Sequence, residues 1–126
     1  GAEVPRGEIG EVCIRSQAVM AGYWERPEQT AETLRGGWLH TGDLAYQDDE
    51  GFYYLVDRAK DMIISGGFNV YPREIEDVLT AHPAVAMAAV IGVPDEKWGE
   101  KVVAVIVPRP GEVADTDALI ALVKDK

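Results

Sequence analysis

Hydrophobic and polar positions along the first part of the chain predict short strands around one helix. Residues 7–17 carry apolar anchors at strand-like spacing. Pro27 then begins a short helix, because proline suits the first helical turn, and the Gly36-Gly37 pair ends it. Two further strand-like runs, LAYQ and FYYLVD, flank the acidic segment 48–51 and predict a β-hairpin.

The pattern in the next part predicts a tighter hairpin followed by a helix. The runs DMIIS and FNVY flank Gly66-Gly67, and glycine tolerates the positive φ values that tight hairpin turns need. Pro72 begins a helix with an apolar stripe at helical spacing. That helix ends at His82-Pro83, because a residue before proline disfavours the helical region.

Two almost entirely apolar runs, AVAMAAVIGV and KVVAVIVP, predict strands that are buried on both faces of a sheet. An acidic loop at 94–100 joins them, and Asp115 or Thr116 caps a final helix. The fold class expected from this order of elements is α+β, with a β-rich first part and an α+β second part.

Composition and charge narrow the class of protein. The chain has 126 residues, 47% of them hydrophobic, which is typical of a folded globular chain. Its formal net charge of −10 argues against nucleic acid and anionic membranes as partners. The single cysteine, Cys13, cannot form an internal disulfide, and we expect it to pack. The sequence shows no long apolar segment and no signal-like start, so a cytoplasmic protein without a membrane span is expected.

A dense run of charges at residues 57–61, DRAKD, lies between two strand-like runs. Charges rarely interrupt a β region unless the chain changes its packing partners there, at a hinge or a domain boundary. The sequence therefore predicts a first domain over 1–57, a hinge at 58–60 and a second domain over 61–126.

Asp43 is a candidate ligand-binding residue. It belongs to a small polar segment, Thr41-Gly42-Asp43, that is predicted to form a turn. A carboxylate there can accept hydrogen bonds from both hydroxyls of a ribose. It can equally satisfy backbone amides of its own turn.

Arg58 is a second candidate, because its planar guanidinium can bind ribose hydroxyls or a phosphate with fixed geometry. The alternative is an ion pair with a neighbouring acidic residue, Asp57, Asp61 or Glu74. His40 and His82 have no Cys, His or Ser at ligand or triad spacing, so neither a metal site nor a charge-relay site is expected.

Four motifs occur in order along the chain: GEIGEVCIRSQAVMAGYW, WLHTGDL, GFYYLVDRAKDMIISGGFNVYPREIE and PDEKWGEKVVAVIVPRPG. Together they resemble the adenylate-forming (AMP-binding) superfamily, which includes acyl- and aryl-CoA synthetases, peptide-synthetase adenylation domains and firefly luciferase. The last motif resembles CoA ligases more than peptide-synthetase domains. The resemblance points most closely to an acyl-CoA synthetase, such as a medium- or long-chain fatty-acid–CoA ligase.

This resemblance implies roles for the candidate residues. Asp43 and Arg58 are similar to residues that bind the ribose of ATP, and Thr41 belongs to the same cofactor-binding set. Lys60 resembles a hinge residue, at which the small C-terminal domain swings between an adenylating and a thioester-forming pose. Gly66 and Gly67 resemble the turn that lines the tunnel for the pantetheine of CoA.

The resemblance also implies a fragment: the β-rich end of a large N-terminal domain, a hinge, and a truncated α+β C-terminal domain. The parent enzyme would use Mg²⁺, ATP and CoA to convert a carboxylic acid, through an acyl-adenylate, into acyl-CoA, AMP and pyrophosphate. The family's phosphate loop and adenylation lysine have no match, since Lys124 and Lys126 lack the glycine context, so the fragment itself is expected to be inactive. Apolar faces left by truncation can drive a homodimer. The alternative is a non-catalytic α+β module that binds a small ligand or a protein.

Overall fold

The computed structural model describes residues 1–125 and divides the chain into two compact units. The first unit is Gly1–Lys60 and the second begins at Asp61. The described residues form three α-helices and two antiparallel sheets, which confirms the predicted α+β class. The division lies at the end of the segment 58–60. The assignment of the units to domains of a larger enzyme, and the hinge, remain predictions.

The first unit is a three-stranded antiparallel sheet in the order β1-β2-β3. Its strands are β1 (Gly10–Ile14), β2 (Leu39–Gln47) and β3 (Tyr53–Arg58). Helix α1 (Pro27–Thr33) lies between β1 and β2 in sequence and begins with the expected proline. A single 3₁₀ turn, Arg35–Gly37, leads from α1 to β2.

Strand β2 contains a bulge where the sequence analysis predicted a turn. Only Val12 separates the paired positions 11 and 13 of β1, whereas residues 41–43 separate their partners on β2. Gly42 supplies the left-handed conformation that this insertion needs, with φ 73°. The prediction that residues 41–43 form a turn outside a strand is therefore wrong, because these residues form a bulge within β2.

The hairpin of β2 and β3 is confirmed. The Asp48 side chain accepts hydrogen bonds from the backbone N–H groups of Glu50 and Phe52, both at 2.9 Å, and so holds the acidic turn together. Beyond the turn, the rings of Tyr46 and Tyr54 stack across the strands with centroids 5.2 Å apart.

The second unit is a four-stranded antiparallel sheet in the order β5-β4-β7-β6, with two helices. Its elements are β4 (Ile63–Ser65), β5 (Phe68–Val70), α2 (Pro72–Thr80), β6 (Val85–Asp95), β7 (Gly99–Pro108) and α3 (Thr116–Lys124). The core unites sheet and helix residues: Ile63, Leu79, Val85, Val90 and Leu119. Both helices therefore pack on the same face of the sheet.

Local signals place the ends of these elements well. Gly66 and Gly67 form the two-residue turn between β4 and β5, and both have positive φ, as the sequence predicted. Helix α2 begins at Pro72. The side chain of Asp115 accepts hydrogen bonds from the first-turn amides of α3, so Asp115 is the cap.

The prediction that β6 and β7 are buried on both faces is wrong. The face turned away from the helices exposes Met87, Ile91, Val105 and Val107, with Met87 67% exposed. Among residues 61–125, both helices contribute to a core on the opposite face, which is why only one face of each strand is covered. No helix within residues 1–125 has the length and apolar character needed to cross a membrane.

Candidate functional site

Asp43 and Arg58 are direct partners across β2 and β3. Arg58 Nε lies 3.0 Å from Asp43 Oδ1, and the two side chains remain 36% and 56% exposed for Asp43 and Arg58. An ion pair this exposed contributes only about 0–1 kcal/mol to stability. The sequence analysis named both residues but missed that they pair with each other, since it considered only acidic residues close in sequence or in α2 as partners of Arg58.

The bulge in β2 orients Asp43. Thr41 Oγ1 donates a hydrogen bond to the carbonyl oxygen of Val12 at 2.6 Å and accepts one from the backbone N–H of Asp43 at 3.1 Å. Thr41 therefore holds the bulge to β1, and the backbone of Asp43 is held by Thr41 rather than by its own carboxylate. The Asp43 side chain is directed to Arg58 instead.

The paired side chains have the donors and acceptors that a ribose needs. A carboxylate accepts hydrogen bonds from hydroxyl groups, and a guanidinium donates up to five. The ion pair joins one carboxylate oxygen of Asp43 to Nε of Arg58, and both side chains reach solvent. The residues present thus fit a vicinal diol, such as the ribose of ATP.

A second group of polar residues lies next to the bulge. Glu11 accepts hydrogen bonds from His40 Nδ1 at 2.8 Å and from the backbone N–H of Gly42 at 3.1 Å. The His40 hydrogen bond lowers the pKa of the Glu11 carboxyl, against the opposing effect of desolvation. Arg35 Nη2 lies 3.6 Å from the same carboxylate. The sequence analysis missed this group, because its members come from separate parts of the chain.

Cys13 extends this group. Its Sγ lies 3.4 Å from His40 Nδ1 and 3.9 Å from Glu11 Oε2. Desolvation raises the pKa of the thiol, with the Glu11 charge as the next contribution. No ligand-forming neighbour of His40 was expected from spacing along the chain. Pairing of β1 with β2 nevertheless places Cys13 opposite His40.

Contacts within the second unit explain why residue 66 is glycine. A Cβ at this position would lie 2.8 Å from Cε3 of Trp98, and the Gly66 N–H donates to the Trp98 carbonyl oxygen at 2.9 Å. Gly67 differs, since a Cβ there would meet no atom within 4 Å. The positive φ of 81° explains why this residue is glycine, and a side chain here would point into open space.

Lys60 is exposed and lies in a single 3₁₀ turn, Ala59–Asp61, at the end of the first unit. The sequence analysis expected a hinge at this residue. The hinge role itself stays a prediction.

Comparisons with known proteins agree with the motif resemblance. Residues 74–126 match the model of the AMP-binding enzyme C-terminal domain. The medium/long-chain-fatty-acid–CoA ligase FadD8 of Mycobacterium tuberculosis is 55% identical over 122 residues, which cover 97% of this chain and 21% of that protein.

Two solved structures share the fold along nearly the whole chain. The amide bond synthetase McbA from Marinactinospora thermotolerans has a TM-score of 0.88 at 50% identity, over 99% of this chain and 26% of that one. The o-succinylbenzoate CoA synthetase MenE from Bacillus subtilis, in complex with an acyl-adenylate, has a TM-score of 0.89 at 41% identity, over 98% and 25%. The chain thus spans about a quarter of the length of the proteins it matches.

Proposed function

Because the chain belongs to the adenylate-forming, AMP-binding enzymes, we propose that it contributes the ribose-binding residues of an ATP-dependent acyl-CoA synthetase. The observation that supports this most directly is the exposed Asp43–Arg58 pair, which joins the two candidates across adjacent strands. Its donors and acceptors match a ribose diol.

The reaction has two steps with different leaving groups. In the first, a carboxylate oxygen of the acid attacks the α-phosphorus of ATP, and pyrophosphate leaves. In the second, the thiol of CoA loses its proton and attacks the acyl carbonyl, and AMP leaves. Mg²⁺ bound with ATP would neutralise negative charge on the phosphates.

Asp43 and Arg58 act in this scheme by orientation. The Asp43 carboxylate accepts hydrogen bonds from the ribose hydroxyls, and the Arg58 guanidinium donates to the same sugar. Thr41 positions Asp43 through the bulge. Fixing the sugar limits where the α-phosphate can lie relative to the incoming acid, which is how positioning lowers a reaction barrier.

Two further roles follow from the resemblance. Lys60 would absorb the backbone rotation between the adenylating and thioester-forming poses. Gly66 and Gly67 would line the path of the CoA pantetheine. Gly67 is the stronger candidate of the two, because its side-chain position is open, whereas the Trp98 ring already explains Gly66.

The acid is proposed to be a medium- or long-chain fatty acid, on the basis of the similarity to FadD8. The similarity to McbA supports a second candidate function in which the activated acid is passed to an amine rather than to CoA. Both functions share the adenylation step. The alternative of a non-catalytic binding module lacks that step.

The test is ATP–pyrophosphate exchange by the full gene product in which this chain occurs, with short, medium, long-chain and aromatic acids. We expect exchange that depends on one class of acid. Product analysis with CoA or an amine then distinguishes the two acceptors. A folded gene product that exchanges with no acid would support the non-catalytic alternative.

The ribose contacts are tested by Asp43→Asn and Arg58→Lys in the same assay. Loss of a charged hydrogen bond costs about 1.5–3 kcal/mol, so the KM for ATP should rise roughly 10- to 150-fold. Asp49→Asn and Arg6→Lys are matched controls, because both residues are exposed in the same unit, away from the pair. An unchanged KM in Asp43→Asn would contradict the assignment.

A further inference from the structure

Three different metal-binding side chains meet on one face of the first sheet: Glu11, Cys13 and His40. Glu11 and Cys13 are two residues apart on β1 and therefore point to the same side. His40 is the register partner of Cys13 on β2. Strand pairing thus brings together one oxygen, one sulfur and one nitrogen donor from positions up to 29 residues apart.

The donor separations suit a small transition-metal ion. His40 Nδ1 lies 2.8 Å from Glu11 Oε2 and 3.4 Å from Cys13 Sγ, and the sulfur lies 3.9 Å from Oε2. Tetrahedral zinc with bonds of about 2.0–2.3 Å places its ligand atoms about 3.3–3.6 Å apart. The separation of His40 Nδ1 from Cys13 Sγ already lies in this range, and adjustments of about half an ångström or less would bring the other two into it.

We propose that Glu11, Cys13 and His40 form a binding site for a thiophilic divalent metal ion, with Zn²⁺ as its occupant. The thiolate and imidazole favour zinc over magnesium or calcium, which prefer oxygen ligands. Three protein ligands leave the fourth position of a tetrahedral ion for water. The side chains of Glu11 and His40 are 26% and 20% exposed, so an ion can reach them from solvent.

The surroundings of Glu11 already orient it for this role. Its Oε1 accepts the hydrogen bond from the Gly42 N–H at 3.1 Å, while Oε2 faces His40 and Cys13. In metal sites, a ligating carboxylate is typically held in place by a second layer of hydrogen bonds, and the Gly42 amide supplies such a bond here. Arg35 opposes binding, because its Nη2 lies 3.6 Å from Oε2 and competes with a cation.

The experiment is a titration of the purified 126-residue chain with Co²⁺, followed by competition with Zn²⁺. Cys13 is the sole cysteine, so a thiolate-to-cobalt charge-transfer absorption can arise from no other residue. We expect this absorption at one ion per chain, with displacement by Zn²⁺. Zn²⁺ should also protect Cys13 from alkylation.

Substitutions test the other ligands. Cys13→Ser should abolish the charge-transfer band, and Glu11→Gln and His40→Gln should each weaken Zn²⁺ binding roughly tenfold or more. His82→Gln is the matched control, since this second histidine lies in the other unit. Arg35→Gln should strengthen binding about two- to fivefold, because it removes a competing exposed charge. Stronger binding in Arg35→Gln could not result from unfolding of the variant.

Three results would overturn the proposal. The first is a folded chain that shows no charge-transfer band. The second is a band that His40→Gln and Glu11→Gln leave unchanged, which would mean that the thiol binds alone. The third is a stoichiometry of one ion per two chains together with dimerisation, which would place the ligands in different molecules.

Discussion

Alanine substitutions at the two turn glycines distinguish two reasons why this hairpin contains glycine, backbone conformation and lack of space for a side chain. Both Gly66 and Gly67 have positive φ, 59° and 81°, so alanine at either position costs about 1–2 kcal/mol from the left-handed backbone alone. Only Gly66 faces the Trp98 ring, at 2.8 Å from an added Cβ. Forcing a methyl group into such a contact costs about 1–3 kcal/mol more.

We therefore expect Gly67→Ala to lower the free energy of unfolding by about 1–2 kcal/mol and Gly66→Ala by about 2–5 kcal/mol. Urea titration of the chain, followed by circular dichroism, measures both values. The excess loss in Gly66→Ala should disappear in a Trp98→Ala background, because the clash is then removed. Equal losses at the two glycines, or an excess that persists without the Trp98 ring, would refute the steric argument.

Three other changes probe the core, the cap and the Glu11 carboxylate. Leu79→Ala should cost about 2–5 kcal/mol, because the side chain is only 2% exposed, whereas the exposed Met87→Ala should cost far less in the same urea titration. Asp115→Ala should cost about 0.5–2 kcal/mol through loss of the α3 cap, measured by thermal unfolding, and Asp115→Asn should retain most of that stability. The lowered pKa of Glu11 means that its carboxylate stabilises the folded chain above the ordinary value of 4.5 and that this contribution is lost as pH falls through the lower folded pKa. Glu11→Gln should therefore be less stable than the parent chain at neutral pH and approach it in acid, and a difference independent of pH would contradict the role of the charge.

Features that depend on a few neighbouring residues were predictable from sequence. Pro27 and Pro72 begin their helices, and Gly66-Gly67 forms the turn between β4 and β5. Each depends on backbone dihedral preferences of the residue itself, which act wherever that residue lies in the fold. The ordered motifs likewise pointed to the adenylate-forming family, because they are read directly as residue types and spacing.

The pairing within the candidate sites required the register of the strands. Asp43 and Arg58 were identified one by one, but the bulge in β2 and the alignment with β3 bring them to 3.0 Å. Cys13 is expected from sequence to pack, and no metal or charge-relay site is expected at His40, yet the two residues lie opposite each other for the same reason. Register depends on the whole strand pair, so no single residue in either strand specifies it.

Burial of the apolar strands likewise combines a feature that was predictable from sequence with one that was not. The composition of β6 and β7 correctly predicted strands, because β-branched residues favour extended backbone. It could not distinguish a strand covered on both faces from one covered on a single face. That difference depends on where α2 and α3 pack, and their positions are set by contacts between residues far apart in the chain. Local conformation thus follows from the order of residues, whereas partners and exposed faces follow from long-range packing.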